Sequence, residues 1–204
     1  TPLGLDGMKK LSSNGADIFL IGNSAFANRL AHSFSTEEII EAIALVKSLN
    51  KEIYIMINMI VHNENLKDIN DFIYSIKDLN VDGIIFGDLA VYQTAKKVGL
   101  DDILIYSPET LNTNYYDPIF WSKQGIKGLT ISKEITLEDV KKISKDKLLE
   151  ISLIGHGHLN MFHSKRPLIE NFFKFTNKEH DEYIENRNLK VVEEIRNESY
   201  PIFQ

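Results

Sequence analysis

The chain has 204 residues, with 23 Lys and Arg against 29 Asp and Glu, a net charge of −6 and no cysteine. An apolar fraction of 43% with so modest a charge excludes an intrinsically disordered chain, and the length suits one domain or little more. The absence of Cys excludes disulfides, a thiolate nucleophile and any thiolate-held zinc or iron–sulfur centre within the chain. No apolar run approaches the ~18–20 residues of a bilayer crossing, and no basic, apolar leader opens the sequence. The mild acidity speaks against gripping nucleic acid over the whole surface. The expectation is an ordered cytoplasmic domain, whose termini at Thr1-Pro2 and Tyr200-Pro-Ile-Phe-Gln204 read as cut ends.

In chain order, short β-branched runs alternate with longer amphipathic ones. A helix is predicted over Gly4–Ser13 and a strand over Asp17–Gly22. Thr36–Asn50 reads as a helix capped by Thr36, with Glu37 and Glu38 in the first turn, where the helix dipole favours carboxylates. Ile39, Ile40, Ile43 and Val46 fall on one face of it. A strand at Glu52–Asn58 precedes a helix at Asn65–Leu79, whose Leu66, Ile69, Phe72, Ile73, Ile76 and Leu79 form one stripe. Then come a strand at Val81–Gly87, a helix at Leu89–Val98, a strand at Asp102–Tyr106 and a helix at Thr113–Gln124. A strand at Ile126–Ser132, a helix at Thr136–Lys145 opening with capping-box spacing, and a strand at Leu149–Gly155 complete the series.

The strands are nearly continuously apolar, as strands covered on both faces must be. Three of them follow a Gly or Asn that supplies a left-handed helix stop: Asn14-Gly15-Ala16-Asp17, Leu79-Asn80-Val81-Asp82-Gly83 and Gln124-Gly125-Ile126-Lys127-Gly128. Their spacing is that of a βα repeat, so the fold class is α/β with parallel strands. Six units fit either an incomplete (β/α) TIM-type barrel or an open doubly wound sheet, and periodicity does not separate the two. Both place chemistry at the carboxyl ends of the strands.

Those ends carry Gly22-Asn23-Ser24 with Arg29, then Asn58 before His62-Asn63-Glu64, Asp88, Ser107-Pro108-Glu109, Lys133-Glu134 and His156-Gly157-His158. Charge to orient a substrate and titratable groups to move protons are what an active face needs. His156, His158, Glu134 and Lys133 are the candidate catalytic residues, and Arg29, Asn58, Asp88, Glu109 and Arg166 the candidate substrate pocket. A histidine pKa near ~6.5 suits general acid–base work. His156 and His158, with His163 or His62, also offer a divalent metal nitrogen ligands, but no HExxH helix completes the set, so no metal site is assigned. Asp88 and Glu134 have a second reading as caps of the helices that follow them. Serine-hydrolase, P-loop and dinucleotide fingerprints are absent.

The βα rhythm stops at Ser164, which sets the expected division into a barrel portion at 1–163 and a helical or irregular extension at 164–204. Leu168–Phe175 is aromatic and Asn177–Asn197 is dense in both signs of charge. Phe172, Phe173 and Phe175 beside Lys165, Arg166 and Lys174 suit base stacking, or an apolar helix face that docks.

Several segments in this order carry a family resemblance: Asn14-Gly-Ala-Asp17 before a strand ending in Gly22, Arg29-Leu30, Glu52–Asn58 before His62-Asn63-Glu64, and Val81-Asp82. Phe120-Trp121 before Gly125, Ser132-Lys133-Glu134 before Leu137-Glu138, and His156-Gly157 continue it. Together they resemble the N-terminal module of the U32 (collagenase-like) peptidase family over nearly the whole chain. The resemblance implies an incomplete (β/α) barrel with a strand missing at each end. The family motif E-x-F-x-x-G-[SA]-[LIVM]-C-x4-G-x-C-x-[LIVM]-S maps onto Ser152 to Glu170, keeping Gly157, Leu159 and Ile169, with Arg166 as commonly seen. Asn160 and Pro167 stand at its two cysteines, Lys165 at its glycine and His158 at its small residue, and Ser152 and Glu170 replace its ends. Two later family cysteines fall near Tyr183 and Arg187.

In cysteine-bearing relatives those thiolates are understood to hold an iron–sulfur cluster used to hydroxylate RNA bases or quinones. The resemblance therefore implies no cluster and no other cofactor here, a divalent metal being the remaining alternative. It places the chain with the cysteine-free branch, similar to partners of a cysteine-bearing paralogue in hydroxylating the wobble uridine of tRNA. The expected function is thus a non-cluster subunit meeting tRNA indirectly, through its partner. The alternatives are a collagenase-like peptidase, histidine- or metal-assisted, and a scaffold without chemistry. No membrane partner is expected.

Overall fold

The computed structural model describes residues 2–108, 110–155, 164–177 and 189–202. The chain divides into two compact units, Thr1–Met161 and Phe162–Gln204. The first is built on six parallel strands: β1 (Ile18–Gly22), β2 (Glu52–Ile57), β3 (Gly83–Phe86), β4 (Leu104–Tyr106), β5 (Gly128–Thr130) and β6 (Glu150–Ser152). Helix α1 (Leu5–Ser13) precedes β1, and α2 (Thr36–Ser48), α3 (Leu66–Ile76), α4 (Leu89–Lys97), α5 (Tyr116–Lys123) and α6 (Leu137–Ser144) fill the five crossovers. The strand order is β1-β2-β3-β4-β5-β6. A doubly wound sheet reverses its order at a switch point. This one never does, so every crossover steps the same way and the sheet curls into part of a (β/α) barrel wall. Strand order thus selects the barrel that periodicity left undecided.

Alternation along the strands separates two faces. Phe19 and Ile21, Ile53, Ile55 and Ile57, and Ile84 and Phe86 are buried in one core with Met8, Ile39, Val46, Ile69, Ile73 and Ala95 from the helices. Residues in register on the other face include Tyr54 beside Gly83 and Met56 beside Ile85. There glycine is required by close approach. A Cβ on Gly83 would lie 2.9 Å from the Tyr54 ring, and one on Gly128 would lie 2.8 Å from the Glu150 carbonyl oxygen. The space over Gly83 lets the Tyr54 hydroxyl meet Lys127, whose ammonium donates to it and to the Asp82 carbonyl, both at 3.0 Å. The same ammonium lies 4.8 Å from the Tyr54 ring centroid and 4.0 Å from the Glu150 carboxylate. The Tyr54 hydroxyl in turn donates to Glu52 at 3.1 Å. This network closes the amino-terminal end of the strands, the end a barrel uses for stability.

Acidic residues also fix the strand starts. Asp17 accepts from the Lys51 ammonium at 2.6 Å. Asp82 divides its oxygens between the Lys47 ammonium and the Ile53 amide, the latter at 2.7 Å. Gly15 and Gly125 adopt the expected left-handed conformation after α1 and α5, with φ of 94° and 82°. The third case differs: α3 ends in a turn from Leu79 to Ile76, and Gly83 lies inside β3, where the Tyr54 ring demands it.

The elements follow the sequence reading with shorter ends. Residues 101–103 form a 3₁₀ turn, so β4 starts at Leu104. Ser35, not Thr36, caps α2. Its hydroxyl accepts from the Glu38 amide at 3.2 Å, and Glu38 accepts from the Ser35 amide at 2.8 Å, a complete capping box. Thr136 caps α6, accepting from the Asp139 amide at 3.2 Å.

In the second unit α7 (Leu168–Thr176) ends at Asn177, with φ 50°. Phe173 is buried, while Phe172 and Phe175 are exposed. Beyond it β7 (Lys190–Glu193) and β8 (Glu198–Pro201) form an antiparallel hairpin in a stretch the sequence marked only as charge-dense. The Glu193 carboxylate organises its turn, accepting from the Ile195 and Arg196 amides at 3.1 and 3.2 Å and from the Arg196 guanidinium at 2.8 Å.

Candidate functional site

The carboxyl ends of β1 to β5 form a polar rim in which most side chains bond to main chain. After β1 the chain turns at Asn23, whose Oδ1 accepts from the Ala25 amide at 2.8 Å while Nδ2 donates to the Phe34 carbonyl at 2.8 Å. The Phe34 amide returns to the Gly22 carbonyl at 3.0 Å, closing the loop from Asn23 to Phe34 on the strand end. Asn58, at the end of β2, accepts from the Asn28 amide at 2.9 Å. It thereby fixes the backbone next to Arg29, which holds the left-handed conformation at φ 59°. Asp88, after β3, accepts from the Ala90 amide at 2.9 Å, capping α4, and from the Val61 amide at 3.1 Å, holding the loop after β2. Of the two readings offered for Asp88, the cap is the one its contacts make.

Between β4 and β5 lies a residue the sequence did not single out. Asn112 is 1% exposed, and its Nδ2 donates to the Thr130 carbonyl at 2.9 Å and the Tyr106 carbonyl at 3.4 Å. Both partners are acceptors, so the orientation of the amide is fixed, and its Oδ1 is buried without a hydrogen-bond partner among the described residues. A buried amide oxygen left so costs about 1–3 kcal/mol, which is why each such group calls for a reason. The Asn112 carbonyl accepts from the Ser132 amide at 3.2 Å, and the buried Ser132 hydroxyl accepts from the Glu134 amide at 3.3 Å. The signal for Asn112 was slight: Asn112-Thr113-Asn114 is a polar group just after a strand, and Asn tolerates the left-handed φ of 65° found there.

Lys133 is half-buried and Glu134 exposed on the loop after β5. Glu134 does not cap α6; Thr136 does. Tyr106, at the end of β4, packs 4.3 Å from Trp121, ring centroid to centroid. Burial, assisted by the Asp117 and Asp88 charges, raises its hydroxyl pKa, so Tyr106 is neutral at physiological pH. His62 is exposed, 4.0 Å from Glu64. Glu109, His156, His158 and His163 lie outside the described residues, and Arg166 belongs to the second unit. Among the described residues no three His, Asp or Glu side chains converge as a metal site. The outer wall carries a groove of about 590 Å³ lined by residues including Phe26, Thr36, Asp68, Asp71 and Phe72, with Phe26 stacked on Phe72 at 4.5 Å.

An incomplete barrel wall with a polar rim at the strand carboxyl ends defines a (β/α)-barrel protein whose loops would carry its chemistry. The chain belongs to peptidase family U32, whose profile matches residues 4–186. It is 30% identical over its full length to the tRNA hydroxylation protein P2 of Bacillus subtilis, spanning 67% of that protein. It is 27% identical to the tRNA hydroxylation protein P1 of the same organism over 82% of this chain and 40% of that one. The Escherichia coli tRNA hydroxylation protein P matches at 24%, over 82% of this chain and 38% of that protein. The chain thus spans well under half of the latter two relatives. A solved U32 peptidase structure shares the fold with a TM-score of 0.50 and 15% identity, over 68% of this chain and 60% of that one.

Proposed function

We propose that this chain is the non-cluster subunit of a tRNA-hydroxylating assembly, acting with a cysteine-bearing family member on the wobble uridine. The observation that carries this reading is a full-length similarity to a tRNA hydroxylation protein in a chain with no cysteine. Adding oxygen to a pyrimidine ring requires a redox centre, and the residues here do not fit an iron–sulfur cluster. Of the four positions where the family carries thiolates, the described one, Pro167, is the residue before α7 and has neither a sulfur nor a side-chain donor. Asn, Tyr and Arg occupy the other three, and none supplies a thiolate. The cluster is therefore assigned to the partner.

In this reading the chain's own residues bind and orient. Arg29, next to the Asn28 amide that Asn58 holds, supplies positive charge toward phosphate, while Lys133 and Glu134 flank the base. Arg166, in the second unit, and Glu109, outside the described residues, are candidates on sequence alone. His156 and His158 are the groups suited to moving a proton near neutral pH. The acidic chain leaves most of the basic RNA-binding surface to its partner. The reading puts the protein in the cytoplasm, beside tRNA; separately, no helix among the described residues is long and apolar enough to cross a membrane. The peptidase alternative has only the family description behind it.

Affinity capture of the tagged full-length protein from cells tests the assembly. Recovery of a cysteine-bearing family member together with tRNA is the expected result; recovery of neither would remove the reading.

A further inference from the structure

We propose that Asn112 is the positioning residue of the rim, joining the loops after β4 and β5 into one rigid unit that presents Lys133 and Glu134. The assignment of those two side chains to the substrate rests on the tRNA-hydroxylation reading; the joining of the loops does not. Parallel strands β4 and β5 pair only through Ile105 with Gly128 and Tyr106 with Leu129, so the ladder stops where the chemistry begins. Asn112 continues it. Its side chain takes the carbonyls of Tyr106 and Thr130, one from each strand end, and its own carbonyl takes the Ser132 amide. Ser132 passes the constraint on through its hydroxyl to the Glu134 amide. One side chain therefore fixes both loops.

Three observations set this apart from ordinary loop packing. Asn112 is buried at the strand end rather than exposed at a loop tip. It holds a positive φ that Asn tolerates and most side chains do not. Its Oδ1 is a buried acceptor without a partner among the described residues, a group that an apolar residue would not carry. Strained and unsatisfied groups of this kind concentrate at functional sites.

Asn112→Gly tests the proposal: glycine accepts the φ of 65°, so the side-chain bonds are lost without backbone strain. Because the added backbone freedom and lost packing act at 112 itself, the response of the distant 131–135 loop is the deciding one. Thr94→Val serves as the control, removing the part-buried Thr94–Asn70 hydrogen bond of 2.5 Å between α4 and α3, away from the rim. Amide hydrogen exchange on the full-length protein should be faster in both 107–115 and 131–135 in Asn112→Gly, with 23–34 unchanged. Thr94→Val should leave both rim loops as in the parent. Loosening of one loop alone, of neither, or equally in the control would overturn the proposal. Turnover in the assembled complex is the second reading: Asn112→Gly should lower kcat for tRNA at least tenfold with KM within twofold. An unchanged kcat despite loosened loops would show that the rim pair does not serve the substrate. Failure of the parent complex to hydroxylate tRNA would instead strike the functional reading, and leave the exchange result to decide the role of Asn112.

Discussion

Lys127 and Tyr54 illustrate how single side chains close the amino-terminal end of the barrel wall. Burial works against the Lys127 charge, but the Tyr54 hydroxyl and the Glu150 and Glu52 carboxylates outweigh it and raise the ammonium pKa above its ordinary value of 10.5. Burial chiefly raises Tyr54 above 10.0, partly offset by Lys127. In both cases the protonated form is the one the fold favours. The stability each contributes is therefore complete below its ordinary pKa and is lost as pH rises through the raised value. Denaturant unfolding should show stability falling above about pH 10, and Tyr54→Phe should lose less over that interval than the parent. An equal loss in both would show that Tyr54 does not titrate with the fold. At this scale the sequence revealed the polar rim as an ensemble but not the work of its members. Asn58 and Asp88 spend their oxygens on backbone amides of neighbouring loops, partners that only the folded sheet brings near. Asn112 was hidden for the same reason: its burial arises from the packing of two strand ends.

Among the elements, the parallel strands were legible because both faces are covered, which makes them continuously apolar. Their ends were not, because pairing stops where neighbouring strands diverge rather than where hydrophobic residues run out. The hairpin of β7 and β8 escaped notice because its turn is built by one carboxylate, Glu193, bonding locally within a charged run. Glycines at register positions give this scale its sharpest expectation. Gly83→Ala pushes against the Tyr54 ring, a side chain able to shift, whereas Gly128→Ala pushes against the Glu150 carbonyl oxygen, a backbone atom held in the sheet. Gly83→Ala should cost about 1–3 kcal/mol, the usual range for overpacking, and Gly128→Ala more. Thermal melting of the two variants checks the ranking; equal costs would contradict the close approach at Gly128.

For the whole molecule, the decisive pairing is a barrel wall with a polar rim at the ends of β1 to β5 and a sequence without cysteine. Strand order made the fold class certain where periodicity had offered two choices, and the family similarity over residues 4–186 agrees with it. Function was legible mainly through family resemblance, because the candidate histidines and acids are residue types that loops commonly carry. In the proposed division of labour, a redox-active subunit and one that shapes the site are both necessary for the modification. Nucleoside mass spectrometry of tRNA from cells lacking this gene tests that most directly. The account predicts that 5-hydroxylated uridine at the wobble position disappears although the cysteine-bearing relative is still made, and returns when the full-length gene is restored. Undiminished hydroxylation in the deletion strain would contradict it.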